Sequence, residues 1–297
     1  MKTILLGPNG QLGSDLCAAN ARTAEPLTLV RLGRSEVDLS DLEGACRLLR
    51  EQDFDCLINC SGYHKTDEVE KNAQLGFAIN AHLVGKLAEI CAEKKARFVH
   101  VSTDYVFGGQ RKRAPLTEED SKGPLNVYGA TKSMGEDLAL LTGADVLILR
   151  VASLFGVAGA SGKGGNFVET MIRLGKERAE MTVVADQTMS PTATADIADS
   201  MLKMLRAGVP SGIWNVVNTG AATWHEFAER IFRRAGLSTK VIPIASSDYP
   251  TPAKRPPYSA LDNAKVSAAI GAMRPWQDAL DDYLVAKGHR AKPAVTS

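Results

Sequence analysis

The 297-residue chain is long for one compact domain and short for two full-sized ones, so a large domain with a smaller lobe is expected. Hydrophobic residues make up 44%, enough for a substantial core, and 35 basic against 34 acidic side chains leave a formal charge of +1, which argues against nucleic acid or an anionic membrane as partner. No apolar run reaches the roughly 18 residues of a membrane span. Met1-Lys2-Thr3 leads straight into Ile4-Leu5-Leu6 without a signal-peptide pattern, so a cytoplasmic protein is expected.

The first apolar run, Lys2–Leu6, reads as a strand. It leads into Gly7-Pro8-Asn9-Gly10-Gln11-Leu12-Gly13, where a helix over about Leu12–Asn20 begins. Glycines at such a turn let the backbone approach a pyrophosphate, and the helix N-terminus offers it free N–H groups. The spacing is G-x-x-G-x-x-G, and any strand–helix turn can use glycine, so position rather than pattern carries the signal. Leu27–Val30 reads as the second strand and ends in Arg31-Leu32-Gly33-Arg34. An acid there would hold a ribose 2′-hydroxyl and favour NAD; two arginines suit a 2′-phosphate or are plain surface charges, with neither reading preferred. Asp38 and Leu39 follow within reach of an adenine. Leu42–Gln52 reads as a helix, Cys56–Cys60 as a strand, Ala73–Lys94 as one helix and Phe98–Val101 as a strand.

Ser102-Thr103-Asp104 stands at the end of that fourth strand, and carboxyl ends of parallel strands line the ligand crevice. Tyr128-Gly129-Ala130-Thr131-Lys132 opens a helix over Val127–Thr142 and puts Tyr128 and Lys132 on one face. A neighbouring ammonium is expected to lower the phenol's pKa, and Tyr128 then serves as general acid toward an alkoxide forming from a carbonyl, with Thr103 bonded to the same oxygen. Taken singly, the pair is an ordinary surface pair and the Ser-Thr a cap. The order of glycine turn, strand-end Ser-Thr, Tyr and Lys is far more specific than any part. Val146–Val151 reads as the fifth strand, with Thr182–Val184 and Ile213–Val217 as further ones.

Near-continuous apolar strands alternating with helices predict an α/β fold: a doubly wound parallel sheet of Rossmann type with a smaller, discontinuous substrate-binding lobe. The cofactor unit is placed at 1–152 plus about 181–218, and the smaller lobe at about 153–180 plus 219–297. In that second part Gly156–Gly165 reads as a loop, Asn166–Lys176 as a helix, and Thr194–Arg206 and Thr223–Ala235 as amphipathic helices with threonine caps. Asp248–Pro257, with four prolines, reads as irregular, Trp276–Lys287 as the last helix and Ala291–Ser297 as a frayed tail. The five cysteines include no C-x-x-C pair, so neither a disulfide framework nor a metal is expected. The five histidines read as surface or packing residues, His64 partly excepted.

Over nearly its whole length the chain resembles the dTDP-4-dehydrorhamnose reductase family of extended short-chain dehydrogenases. The segments that carry this are Gly10–Gly13, Ser102–Phe107, Pro124–Gly129, Gly165–Val168, Val184–Gln187, Pro191-Thr192, Trp224–Ala228 and Arg255–Ser259. The resemblance implies Tyr128 as proton donor and Lys132 as its support and nicotinamide-ribose ligand. It implies cofactor contacts from Gly7, Gly10, Gln11, Leu12, Asp38, Leu39, Gly62, Tyr63 and His64, joined by Arg31 and Arg34 if these meet a phosphate. Thr103, Asp104, Ser153, Asn166 and Gln187 are then the substrate side. NADPH is the expected cofactor, with NADH as an option, and the substrate is a nucleotide-linked 4-keto-6-deoxyhexose; a homodimer is one option for assembly.

Four positions depart from the family's pattern. Gly62-Tyr63-His64 stands for Ala-Tyr-Thr, Ser153 for a tryptophan and Met189 for a glycine, which leaves the exact sugar open. A 4,6-dehydratase is disfavoured because Asp104 is followed by Tyr105 rather than a second carboxylate. An epimerase, or a non-catalytic regulatory subunit such as that of methionine adenosyltransferase, stays in competition. A P-loop is excluded at Gly162-Lys163, which is followed by Gly164.

Overall fold

The structure is a computed structural model that describes residues 1–110, 112–159 and 165–290. The Gly162-Lys163 pair and the tail Ala291–Ser297 lie outside those residues, as do residues 160–164, half of the loop read at Gly156–Gly165. In chain order come β1 (Lys2–Leu6), α1 (Gln11–Arg22), β2 (Thr28–Leu32), α2 (Leu42–Glu51), β3 (Cys56–Asn59) and a short α3 (Thr66–Val69). Then α4 (Ala73–Phe77) runs through a π-helical turn, Ala78–His82, into α5 (Leu83–Lys94), followed by β4 (Arg97–Thr103), α6 (Val127–Leu141) and β5 (Val146–Val151).

The second half holds β6 (Leu154–Phe155), α7 (Phe167–Glu177), β7 (Glu180–Val184), β8 (Thr188–Met189), β9 (Thr192–Ala193), α8 (Thr194–Ala207) and β10 (Gly212–Asn215). It ends with β11 (Ala222–Thr223), α9 (Trp224–Ala235), β12 (Lys240–Ile244), α10 (Ala264–Ile270) and α11 (Trp276–Ala286).

The central sheet has six parallel strands in the order β10-β5-β4-β3-β1-β2. All residues of β3 and β5 are buried, as strands covered on both faces must be. Successive residues serve opposite layers. Leu5, Leu147 and Leu149 pack with Leu12 and Leu16 of α1 and Ile197 and Met201 of α8. Ile4, Leu6 and Ile148 pack with Leu49 of α2 and Leu83 and Leu87 of α5.

Two expectations about this layer change. The strand read at Thr182–Val184 exists as β7, but it pairs in parallel with β12, outside the central sheet. Met181, Val183 and Met189 bury against Val168, Phe227 and Leu280, so the stretch 181–189 belongs with the smaller lobe, and the chain returns to the sheet only through α8 and β10. A strand's apolar pattern does not name its partner. The single helix expected over Ala73–Lys94 is interrupted by the π turn. Within its 22 residues an 18-residue window reaches a mean hydropathy of 1.2, long and apolar enough to cross a bilayer, yet 56% of that window is buried inside the fold.

Capping agrees at one helix and not the other. Thr223 caps α9 in a reciprocal box with Glu226. At α8 the cap position is Ala193, and the Thr194 hydroxyl instead donates to the Asp15 carboxylate.

Candidate active site

The turn after β1 is built for close approach. Gly7 has φ +78°, and a Cβ there would lie 2.7 Å from Ser61 Oγ; one at Gly13 would lie 2.1 Å from the Gly7 carbonyl oxygen. Helix α1 begins at Gly10 with no side-chain cap, which leaves its first N–H groups for an anion. Gly10, Gln11 and Leu12 form one wall of an open cleft with a cavity volume of about 370 Å³. Gly62 and His64 line it from the end of β3, and Thr103, Asp104, Tyr128, Lys132, Ser153 and Asn166 complete it. The glycine turn, strand end and helix face read from sequence thus meet in one place.

Helix α6 aims its two reactive groups. Asn126 caps it, accepting from Gly129 N at 2.7 Å while its amide donates to the Lys254 carbonyl at 2.7 Å. Tyr128 faces the cleft with Thr103 and lies edge-on to Tyr105, with ring centroids 5.8 Å apart. Thr103 Oγ1 donates to Asp104 Oδ1 at 3.1 Å, and Ser259 Oγ donates to Asp104 Oδ2 at 2.5 Å. Burial pushes the Asp104 carboxyl up to about 6.

The expected lowering of the Tyr128 pKa is not found. Burial pushes the phenol up to about 12, with the Thr103 hydroxyl opposing and the Asp104 charge adding to the rise. Lys132 shares the helix face, but its Nζ is engaged elsewhere, 2.9 Å from His100 Nε2 and donating to the Val101 carbonyl at 2.7 Å. Burial brings Lys132 down to about 8. The resting phenol is therefore a neutral acid.

Not every residue singled out lines the cleft. Tyr63 is held by its backbone, exchanging bonds with the Asn80 amide at 2.8 and 3.0 Å, while its hydroxyl turns to Glu68 and Asn72. Asp38 is exposed and bonded to Ser40, and Leu39 packs on the sheet's outer layer. Arg31 and Arg34 are exposed outside the lining, and the strand end carries an acid after all: Glu36 Oε2 accepts from Gly33 N at 2.7 Å. Asp104 has both oxygens tied to protein.

Ser153 holds a left-handed backbone, φ +44°. Asn166 caps α7 and donates to Gln11 Oε1 at 3.2 Å, joining the smaller lobe to the glycine turn. Gln187 lies in an adjoining cavity of about 500 Å³ that shares Tyr105, Phe167 and Trp224 with the cleft and carries Arg178 and Arg255.

The structure adds residues that the sequence did not single out. Asn80 comes from the π turn, 1% exposed, and its amide also donates to Thr131 Oγ1 at 3.1 Å. Ser259 reaches Asp104 from far along the chain, and its only sequence signal was membership of the Arg255–Ser259 segment. His100, read as a packing residue, is fully buried against Lys132. Cys60 lines the cleft, but burial pushes its thiol up to about 12, which makes it a poor nucleophile.

Known proteins of this shape share the sequence as well. The family model described as the RmlD substrate binding domain matches residues 1–288. A dTDP-4-dehydrorhamnose reductase of Mycolicibacterium smegmatis is 34% identical over 287 residues, covering 96% of this chain and 85% of that one. The crystal structure of a dTDP-4-dehydrorhamnose reductase from Clostridium acetobutylicum superposes with a TM-score of 0.88 at 33% identity, covering 96% of this chain and 99% of that one. One from Bacillus anthracis, in complex with NADP, gives 0.87 at 32% identity, covering 96% of this chain and all of the other. With likeness of this degree along the whole cleft-forming chain, the protein belongs to the dTDP-4-dehydrorhamnose reductase family.

Proposed function

We propose that the chain reduces the C4 ketone of a nucleoside-diphosphate-linked 4-keto-6-deoxyhexose, as a dTDP-4-dehydrorhamnose reductase, with NADPH as reductant. The observation that carries this is that the half-buried Tyr128 and the buried Thr103 face the same cleft as the uncapped glycine turn. The turn fits a dinucleotide: its glycines leave room where side chains would collide, and the α1 N-terminus is free for a diphosphate. When bound, the reduced nicotinamide supplies hydride. Gly10, Gln11 and Leu12 hold the diphosphate, and Lys132 takes the nicotinamide ribose.

Tyr128 donates its proton to the oxygen that becomes an alkoxide; a phenol held neutral by burial is in the right state to do so. Thr103 turns its one hydroxyl proton from Asp104 to the same oxygen and orients it. Ser153 and Asn166 bound the sugar, and Gln187, Arg178 and Arg255 in the adjoining cavity take the nucleotide half, where guanidinium groups suit a diphosphate.

The test is consumption of NADPH with a panel of nucleotide-linked 4-keto sugars, followed by product identification. Stoichiometric oxidation with a dTDP-linked 4-keto-6-deoxyhexose is expected, and Tyr128→Phe should lower turnover by roughly 10²-fold or more with the fold intact. Isomerised sugar without net NADPH loss would mark an epimerase instead.

A further inference from the structure

His100 sits fully buried on β4, and no step above uses it. In the parallel ladder it lies opposite Asn59, the last residue of β3. The Asn59 side-chain oxygen accepts the Ser61 backbone N–H at 3.0 Å, which turns its amide nitrogen toward His100 Nδ1, 3.2 Å away. On the far side of the ring, Nε2 faces Lys132 Nζ at 2.9 Å.

The hydrogens can be counted. A neutral imidazole has one N–H and one lone pair. Nδ1 meets an amide donor, so it supplies the lone pair, and the proton sits on Nε2. That N–H points at Lys132 Nζ and is satisfied only if the lysine offers a lone pair in return. An ammonium would set N–H against N–H, and an imidazolium would do so at both nitrogens in a site shut off from water.

Burial acts in the same direction, holding His100 well below its ordinary value and bringing Lys132 down to about 8. The other titratable groups around Lys132 are Tyr128 and Glu136 on its own helix and Cys60 after β3. Glu136 and, after it, Cys60 favour the ammonium, and the Glu136 charge is already matched by Arg150 at 2.8 Å.

We infer that Asn59 and His100 are positioning residues that favour the free amine of Lys132 in the ligand-free protein, so that at alkaline pH cofactor binding is coupled to uptake of one proton from solvent onto Nζ. Asn59 fixes the tautomer of His100, and the tautomer fixes the charge of Lys132. Sugar hydroxyls offer Nζ lone pairs where His100 offers a proton, so the ammonium forms when Lys132 exchanges one for the other. The coupling rests on the reading of Lys132 as a ribose ligand; the tautomer does not.

Ring-nitrogen NMR of the ligand-free, ¹⁵N-histidine-labelled protein reads the first part directly, with His100→Gln to assign the signal. A protonated Nε2 and a bare Nδ1 are expected; the opposite tautomer, or an imidazolium, overturns the inference. Asn59→Asp tests the coupling. One carboxylate oxygen keeps the Ser61 bond, and the other draws the ring proton to Nδ1, which frees Nε2 to accept from an ammonium.

NADPH affinity, followed by nicotinamide fluorescence, should fall on the alkaline side in the wild type. In Asn59→Asp that fall should move up by roughly one pH unit, worth about tenfold in affinity where the wild type is limited. Indicator-dye titration should show alkaline proton uptake on binding in the wild type, with the uptake setting in about one pH unit higher in the variant. An equal loss of affinity at every pH would show Asn59 to be merely structural and would end the proposal. Should Asn59→Asp not fold, the wild-type tautomer and proton uptake still decide it. Absence of NADPH binding to the wild type would defeat the reductase reading while leaving the tautomer measurement to stand or fall by itself.

Discussion

Arg150→Met should cost the protein about 3–5 kcal/mol of stability, the scale for breaking a buried ion pair. Arg150 is 1% exposed and Glu136 wholly buried, and they meet through two bonds, Nε to Oε1 at 3.0 Å and Nη2 to Oε2 at 2.8 Å. Ser102 Oγ donates to the same carboxylate at 2.5 Å, and the guanidinium lies 4.9 Å from the Phe107 ring centroid. Methionine keeps much of the apolar stem but removes both charge-assisted bonds, worth roughly 1.5–3 kcal/mol each. Lys122, 3.6 Å from Oε2 and partly exposed, recovers only a fraction.

Replacing both partners, Glu136→Leu with Arg150→Met, also removes the charge that would be stranded, so the double variant should be less destabilised than Arg150→Met alone. Urea unfolding of the ligand-free protein, compared at equal m-value, measures both. A cost under about 1 kcal/mol for Arg150→Met, or a double variant that loses the sum of the singles, would refute the claim that the cost is that of an unpaired buried charge.

Asp104 should make stability depend on pH. Its folded value of about 6 lies above the ordinary 3.8, so its contribution is fully present below pH 3.8 and is lost as pH rises through about 6. The loss is about 3 kcal/mol, and Asp104→Asn should flatten that part of a stability-against-pH curve. Ser153, at φ +44°, should tolerate glycine but not a β-branched residue: thermal unfolding should place Ser153→Val about 1–2 kcal/mol below Ser153→Gly. At the end of β2, replacing Arg31 and Arg34 by alanine should weaken NADPH about threefold to tenfold and NADH little. Glu36→Gln, which removes the carboxylate beside Gly33, should act the other way; equal shifts for both cofactors in fluorescence titrations would show these charges to be bystanders.

The central sheet was readable because its inner strands are buried on both faces and its helices show their periodicity, and all six strands and the Tyr128–Lys132 face follow from the sequence pattern. What escaped depends on neighbours distant in sequence. Thr182–Val184 has a strand's pattern, but only folding shows that Lys240–Ile244 is its partner. His100 sits in an ordinary apolar strand, and its role comes from lying opposite Asn59 and beneath Lys132. The acid at the end of β2 was missed because Glu36 folds back three residues to Gly33, while the sequence shows arginines at the nearer positions. The phenol's raised value shows the limit of spacing arguments: helix geometry put the ammonium on the correct face, but burial governed both groups.

The π turn at Ala78–His82 is geometrically an α-helix that has absorbed one extra residue. Helix α6 is moulded to it: a Cβ at Gly135 would lie 2.1 Å from the Asn80 carbonyl oxygen. Deleting a single residue from the turn would heal the helix and rotate one flank against the other by about 100°. That would carry Asn80 away from the backbone of Tyr63 and from Thr131 while leaving every side chain in the cleft chemically unchanged. The asparagine's place in the site is thus set by the length of the turn as much as by the identity of its side chain.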